Sequence, residues 1–145
     1  MIPTVISQIA NGAREIELGS LHPTRDFSFV ADTVQGFLCA AVADKAVGQV
    51  INTGSDFEIS IGDLAKLIAE VMQADVKIKH AAERVRPEAS EVERLRADVS
   101  LAGKVLGWKP EHGGRDGLAR GLKKTVAWFS DPVNLGRYKS GRYNI

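Results

Sequence analysis

The side chains of this chain best suited to hold a ligand are guanidinium groups at short spacing. Arg25 stands beside Asp26 in TRDFSFV, residues 24–30, and Arg84 and Arg86 bracket Val85 ahead of Pro87, where VRPEASEV begins at residue 85. A guanidinium fork matches paired phosphate oxygens better than an ammonium does. Pro87 holds Arg86 extended, and alternation along an extended segment sends Arg84 and Arg86 to one side. With Arg25 they could clamp a diphosphate. The competing reading pairs Arg25 with Asp26, and Arg84 and Arg86 with Glu83, Glu88, Glu91 or Glu93, as surface ion pairs of little worth. Arg94 and Arg96 suit that second reading better. Asn52, in VINTGS at residues 50–55, could hydrogen-bond a ligand from a strand end, and serves equally well as a turn residue.

The rest of the chemical inventory is sparse. No G-x-G-x-x-G or G-x-x-G-x-x-G stretch follows an expected strand, and Gly113, Gly114, Gly117 and Gly121 precede or lie within a late helix without that context. Tyr138 and Tyr143 have no lysine four residues on, so no Tyr-x-x-x-Lys proton-transfer pair is expected. His22 reads as a loop residue before Pro23, and His80 and His112 lack metal-ligand spacing, so no metal is expected. Arg137, Lys139 and Arg142 interleave with the two tyrosines, but three charges are few for backbone-driven nucleic-acid binding.

Composition narrows the setting. The 145 residues are 44% apolar and carry a formal charge of +1, far from what adhesion to nucleic acid or an anionic membrane calls for. The single cysteine, Cys39, excludes an internal disulfide and favours the cytoplasm. No window approaches the roughly 18 apolar residues of a membrane span, and the N-terminus has no signal-like core, so a soluble protein is expected.

The elements that would position these side chains follow an α/β order. Ile2, Val5, Ile6 and Ile9 predict a first helix stopped by Asn11 and Gly12, and a chain that opens inside an apolar helix is expected to continue upstream in its relatives. Extended segments are expected at 15–18 and 25–30. Asp32 with Gln35 should cap a helix that buries Val34, Phe37, Leu38, Ala41 and Val42 and ends near Asp44. Residues 49–53 are β-rich and should form the next strand, closed by Gly54 and Ser55. Ser60 and Asp63 should cap a helix with Ile61, Leu64, Leu67, Ile68, Val71 and Met72 on one stripe. A strand at 76–79 and a charged surface or ligand-facing stretch at 83–98 come next. Ser100 should cap a short helix ended by Gly107, and a last helix from about 115 to 129 should turn Leu118, Leu122, Val126 and Phe129 inward, with Trp128 flanking. Gly117 and Gly121 each weaken that helix by roughly 1 kcal/mol relative to alanine, so packing must hold it. One domain over 1–130 and a tail over 131–145 without clear periodicity complete the layout.

TRDFSFV, VINTGS, VRPEASEV and ADVS together resemble the C-terminal, substrate-binding part of the extended short-chain dehydrogenase/reductase family of NAD-dependent sugar-nucleotide epimerases and dehydratases. The similarity extends over nearly the whole chain and is closest to UDP-N-acetylglucosamine 4,6-dehydratases. It implies an α/β, Rossmann-type fold lacking the N-terminal dinucleotide-binding region. It also implies that Arg25 and Arg86 contact a nucleotide diphosphate, that Asn52 lies near the substrate with Glu91 in the neighbouring acidic position, and that Asp98 is structural. Relatives place a glycine-rich NAD loop, a Ser/Thr and a Tyr-x-x-x-Lys pair earlier in the chain. There, bound NAD takes hydride from the sugar while a base takes the hydroxyl proton. With none of those parts in this sequence, neither NAD binding nor dehydratase or epimerase activity is expected of the chain by itself. Two departures stand out. Ala31 replaces a common acidic residue, and His112-Gly113-Gly114 replaces the usual lead-in to GLKKTVAWF, suggesting a loosened loop.

The expected ligand is a nucleotide-sugar, a UDP-sugar first. The expected protein partner is a missing N-terminal domain or a second copy, because loss of a larger domain exposes apolar faces that seek cover. The alternative function is a standalone sugar-nucleotide-binding or structural module that self-associates.

Overall fold

The computed structural model describes residues 1–81 and 92–137. In chain order it contains α1 (Ile2–Ala10), β1 (Glu15–Leu18), β2 (Thr24–Asp26), α2 (Val30–Ala41), a 3-10 turn (Asp44–Ala46), β3 (Glu58–Ser60), α3 (Ile61–Val71), β4 (Lys77–His80), β5 (Arg94–Leu95), α4 (Ser100–Leu106), α5 (Gly114–Ser130) and α6 (Pro132–Gly136). The fold class is α/β, as expected. The chain gathers into two compact units, one of Met1–Pro23, Ser60–Val92 and Leu122–Ile145, the other of Thr24–Ile59 and Glu93–Gly121.

The first unit is an apolar assembly. Its two strands pair in parallel, Glu15 opposite Lys77 and Leu18 opposite His80, and β1 alternates so that Ile16 and Leu18 point inward while Glu15 and Glu17 point out. Helix α1 packs on α3, bringing the buried Val5, Ile6 and Ile9 into one core with Leu64, Leu67 and Ile68. Each such side chain contributes about 1.5–3 kcal/mol through burial. Both helix ends follow the sequence reading. Ser60 Oγ accepts from the Asp63 backbone N–H at 3.0 Å, and Gly12 takes a left-handed φ of 86° just past α1. Residues 131–137 add an element that periodicity did not signal. The Asp131 carboxylate accepts from the Val133 and Asn134 N–H groups, and Pro132 opens α6.

In the second unit β2 is the middle strand of a three-stranded sheet ordered β3, β2, β5, and it runs parallel to β5 with Thr24 opposite Arg94 and Arg25 opposite Leu95. Five local expectations are corrected here. The extended segment expected at 25–30 is a strand only over Thr24–Asp26, because α2 already begins at Val30. Residues 49–53 form no strand, since no neighbouring segment among the described residues pairs with them, and the strand comes later, at Glu58–Ser60. Asp32 is not the cap of α2. Phe29 takes that position without a side-chain bond, and Asp32 sits in the first turn, buried. The stripe of Val34, Phe37, Leu38 and Val42 is exposed, whereas Asp32 and Gly36 are the buried positions of the helix. Helix α4 ends as read, at Gly107 with φ 63°, but Val99 rather than Ser100 is its N-cap. No helix among the described residues is long and apolar enough to cross a membrane.

Candidate functional site

Arg25 lies on the central strand of the second unit, half-buried, with its Nη1 donating to the Thr24 carbonyl at 2.7 Å. Its neighbour Asp26 explains why this strand end is fixed. Asp26 Oδ1 accepts from the Ser55 N–H at 2.8 Å and Oδ2 from the Ala97 N–H at 3.2 Å, so one carboxylate ties β2 to the loop after Asn52 and to the segment after β5. Gly54 is required at that junction, since a Cβ there would stand 2.5 Å from Ala97 Cβ and 2.8 Å from Asp26 Oδ2. Asn52 is exposed, three residues before Ser55. Arg84, Arg86 and Glu91 lie outside the described residues.

Arg94 and Arg96 are engaged within the protein. Arg94 Nε donates to both Glu58 carboxylate oxygens at 2.8 Å, and its Nη2 also reaches Oε1. Thr24 Oγ1 donates to the same carboxylate at 2.8 Å. The bonds from Arg94 and Thr24 hold the Glu58 carboxyl below the usual carboxylate range, and Glu58 in turn raises Arg94. Arg96 pairs with Asp56 at 2.7 Å and is raised by it. The ion-pair reading of these two arginines therefore holds, with Glu58 and Asp56 as partners instead of nearer acids in the sequence. Asp56, Arg94, Arg96, Ala97 and Asp98 line an open cleft of about 470 Å³. With its guanidinium groups matched by carboxylates, the cleft offers an anion little unsatisfied charge. Asp98 Oδ1 accepts from the backbone N–H and the hydroxyl of Ser100, which lowers its pKa and orders the start of α4. Asp56 also borders a second cleft of about 710 Å³, beside Ser55, Lys104, Trp108, Lys109 and Gly113.

A cluster that the sequence did not announce joins the start of α2 to the lead-in of α5. Asp32 and His112 are 5% and 3% exposed, Asp32 Oδ2 accepts from the His112 N–H at 2.8 Å, and Asp32 Oδ1 lies 3.1 Å from His112 Nδ1. Phe29 packs its ring 4.4 Å from the imidazole, and Trp108 Nε1 donates to the Asp32 carbonyl at 3.2 Å. The loosened loop expected at His112-Gly113-Gly114 is thus a buried lock. Glu111 brings a third possible metal-ligand atom within 4.8 Å of the other two residues'. Both Asp32 oxygens already face His112 donors or its ring nitrogen, which makes this group a structural tie. Its signal lay in the departure at residue 112, but the partner is eighty positions away and no local spacing connects them.

Comparisons with known proteins give the chain a family. The family model for GDP-mannose 4,6 dehydratase matches residues 1–120. The chain belongs to that family. It is 30% identical over 136 residues to a UDP-N-acetyl-alpha-D-glucosaminuronate decarboxylase of Bacillus cytotoxicus, covering 92% of this chain and 41% of that one. Among solved structures, an epimerase from Methanothermobacter thermautotrophicus superimposes with a TM-score of 0.78 at 28% identity, over 94% of this chain and 38% of the other. A further family structure, 25% identical with a TM-score of 0.72 and covered to 40% by 88% of this chain, holds UDP-glucuronic acid and NAD. The chain therefore spans about 40% of the length of such relatives and corresponds to part of a Rossmann-type epimerase/dehydratase.

NAD is bound in the similar solved structure that holds UDP-glucuronic acid. Two of the late glycines of this chain, Gly117 and Gly121, face the protein's own atoms. A Cβ on Gly117 would stand 2.2 Å from the His112 carbonyl carbon, and one on Gly121 would stand 3.1 Å from Phe29 Cδ2, so the protein's own atoms fill that space.

Proposed function

We propose that this chain is the nucleotide-sugar-holding part of an NAD-dependent sugar-nucleotide epimerase/dehydratase, nearest in type to a 4,6-dehydratase. In this reading Arg25 and Arg86 contact the diphosphate of a UDP-sugar, and Asn52 and Glu91 border the same ligand. The chain by itself supplies orientation but no hydride or proton transfer, and it binds no NAD. The observation that carries the reading is the Asp26 tie, which holds the strand end bearing Arg25 to the loop that follows Asn52. Relatives in complex with UDP-sugars support the ligand class. A lone cysteine and a near-neutral charge suit a cytoplasmic protein.

Calorimetric titration with UDP-N-acetylglucosamine tests this. Loss of a charged phosphate contact costs about 1.5–3 kcal/mol, so Arg25→Ala and Arg86→Ala should each weaken binding by roughly 10- to 100-fold. Equal affinity in wild type and both variants overturns the assignment. Absence of binding to the intact chain overturns the claim that this part holds the nucleotide unaided.

A further inference from the structure

The two clefts of the second unit differ in how their charges are matched. In the smaller one, Arg94 and Arg96 meet Glu58 and Asp56. The larger one, of about 710 Å³, is bordered by Lys104 on α4 and by Lys109. Among the described residues neither ammonium group takes part in a hydrogen bond or an ion pair. The carboxylate in the same lining, Asp56, is already held by Arg96 at 2.7 Å. Asp98 lies in the field of Lys104, yet its Oδ1 is taken by the N–H and the hydroxyl of Ser100. Two like charges thus border one cavity with no carboxylate bonded to either of them. Its apolar wall is fixed. Trp108 is 3% exposed and anchored through Nε1 to the Asp32 carbonyl at 3.2 Å, so the indole is a preformed surface of the cleft. Pro110 joins it in the lining, and a Cβ on Gly113 would stand 3.0 Å from both Pro110 Cγ and the Ser55 carbonyl oxygen, so these segments meet closely. Asp26 holds the Ser55 side of that junction. A preformed cavity of this size, with apolar walls and a few charged groups to fix orientation, has the form of a small-molecule site.

We infer that this cleft binds a small organic phosphate, a monoester whose ring or apolar body lies against Trp108 and Pro110 while Lys104 and Lys109 take the phosphate. A phosphate monoester carries close to two negative charges at neutral pH, which matches two ammonium groups, and lysine meets phosphate as a point charge. A monocarboxylate leaves one ammonium unmatched, and an uncharged apolar molecule leaves both. The site uses none of Arg25, Asn52, Arg86 or Glu91, and it is separate from the nucleotide-sugar contacts proposed above.

Titration of the full 145-residue chain with phenyl phosphate, followed by NMR of its amide and indole N–H groups, tests this. Trp108 borders the cleft, whereas Trp128 belongs to the first unit, so the two indole signals report on different places. The Trp108 indole and the Gly113 amide should shift saturably and the Trp128 indole should stay put, with a Kd on the order of 1 mM for a ligand this small. Lys104→Ala and Lys109→Ala replace exposed side chains, so their remaining spectra should overlay that of wild type. Each should weaken binding by about 10-fold, the worth of one charged contact, and Lys66→Ala in the first unit by less than about twofold. Inorganic phosphate, which lacks the ring, should bind roughly 10-fold more weakly than phenyl phosphate. A Trp108 signal indifferent to the probe overturns the inference, as does equal affinity in wild type and both lysine variants. Inorganic phosphate binding as tightly as phenyl phosphate overturns the ligand class. Binding that survives both lysine variants and disappears in Arg25→Ala also overturns it and assigns the probe to the nucleotide contact.

Discussion

The two units of this molecule are held together by different physics. In the first, Val5, Ile6, Ile16, Leu64 and Ile68 are almost wholly removed from water, and the ion pairs Lys66–Asp63 and Lys79–Glu15 lie on the exposed surface. In the second, carboxylates do the joining: Asp26 accepts from two distant N–H groups, Asp32 meets His112, and Glu58 and Asp56 take Arg94 and Arg96. Its most regular apolar stripe, on α2, faces outward. Apolar burial is non-directional and scales with area, whereas a hydrogen-bonded carboxylate fixes where particular backbone atoms stand. The unit that carries Arg25 and Asn52 is the one whose loops are held by directional contacts.

Substitutions can break this contrast. The largest effect is expected from Ile68→Ala, which empties a fully buried position against α1. It should destabilise the chain by about 2–5 kcal/mol in a denaturant titration. A loss under 1 kcal/mol would mean that the first unit does not rest on its apolar core. Asp32→Ala comes next, because it strips the buried His112 N–H of its acceptor. About 1–3 kcal/mol is expected, together with loss of protection at the His112 amide in hydrogen exchange. Unchanged protection would show that the lock is not what holds this loop. The smallest effect is expected at the half-buried Glu58. Since Arg94 and Thr24 hold its carboxyl below the usual range, its contribution is present at neutral pH and is lost as pH falls through the lowered folded-state value. The margin of wild type over Glu58→Gln in thermal midpoint should therefore shrink on acidification below the ordinary carboxylate range. A margin that grows with acid would reverse the assignment.

What could be read from the sequence depended on whether the partner of each pattern lies nearby. The stripe of α3 and its Ser60 cap are local, as are the stops at Gly12 and Gly107, and all four stand where the spacing put them. Helix α2 was legible as a helix, but its apolar stripe says only that the face is meant to be covered. In this chain Asp32 and Gly36 take the inner side, so burial was assigned to the wrong face. Residues 49–53 have strand-forming side chains, yet a strand also needs a neighbour to pair with. Of the candidate site, Arg25 was visible because Asp26 and the aromatics follow it directly. The Asp32–His112 contact was not, since nothing in local spacing links residues 32 and 112.

The parallel pairings set the order in which this chain can assemble. Strand β1 waits for residue 77 and β2 for residue 94, so neither pair can form by local hairpin closure, and both must close long loops before their contacts repay the entropy. During synthesis the α2 stripe leaves the ribosome well ahead of β5, α4 and the His112 segment that anchors its inner side. A nascent chain thus exposes both faces of α2 until residue 112 has been made, and that interval carries a risk of aggregation.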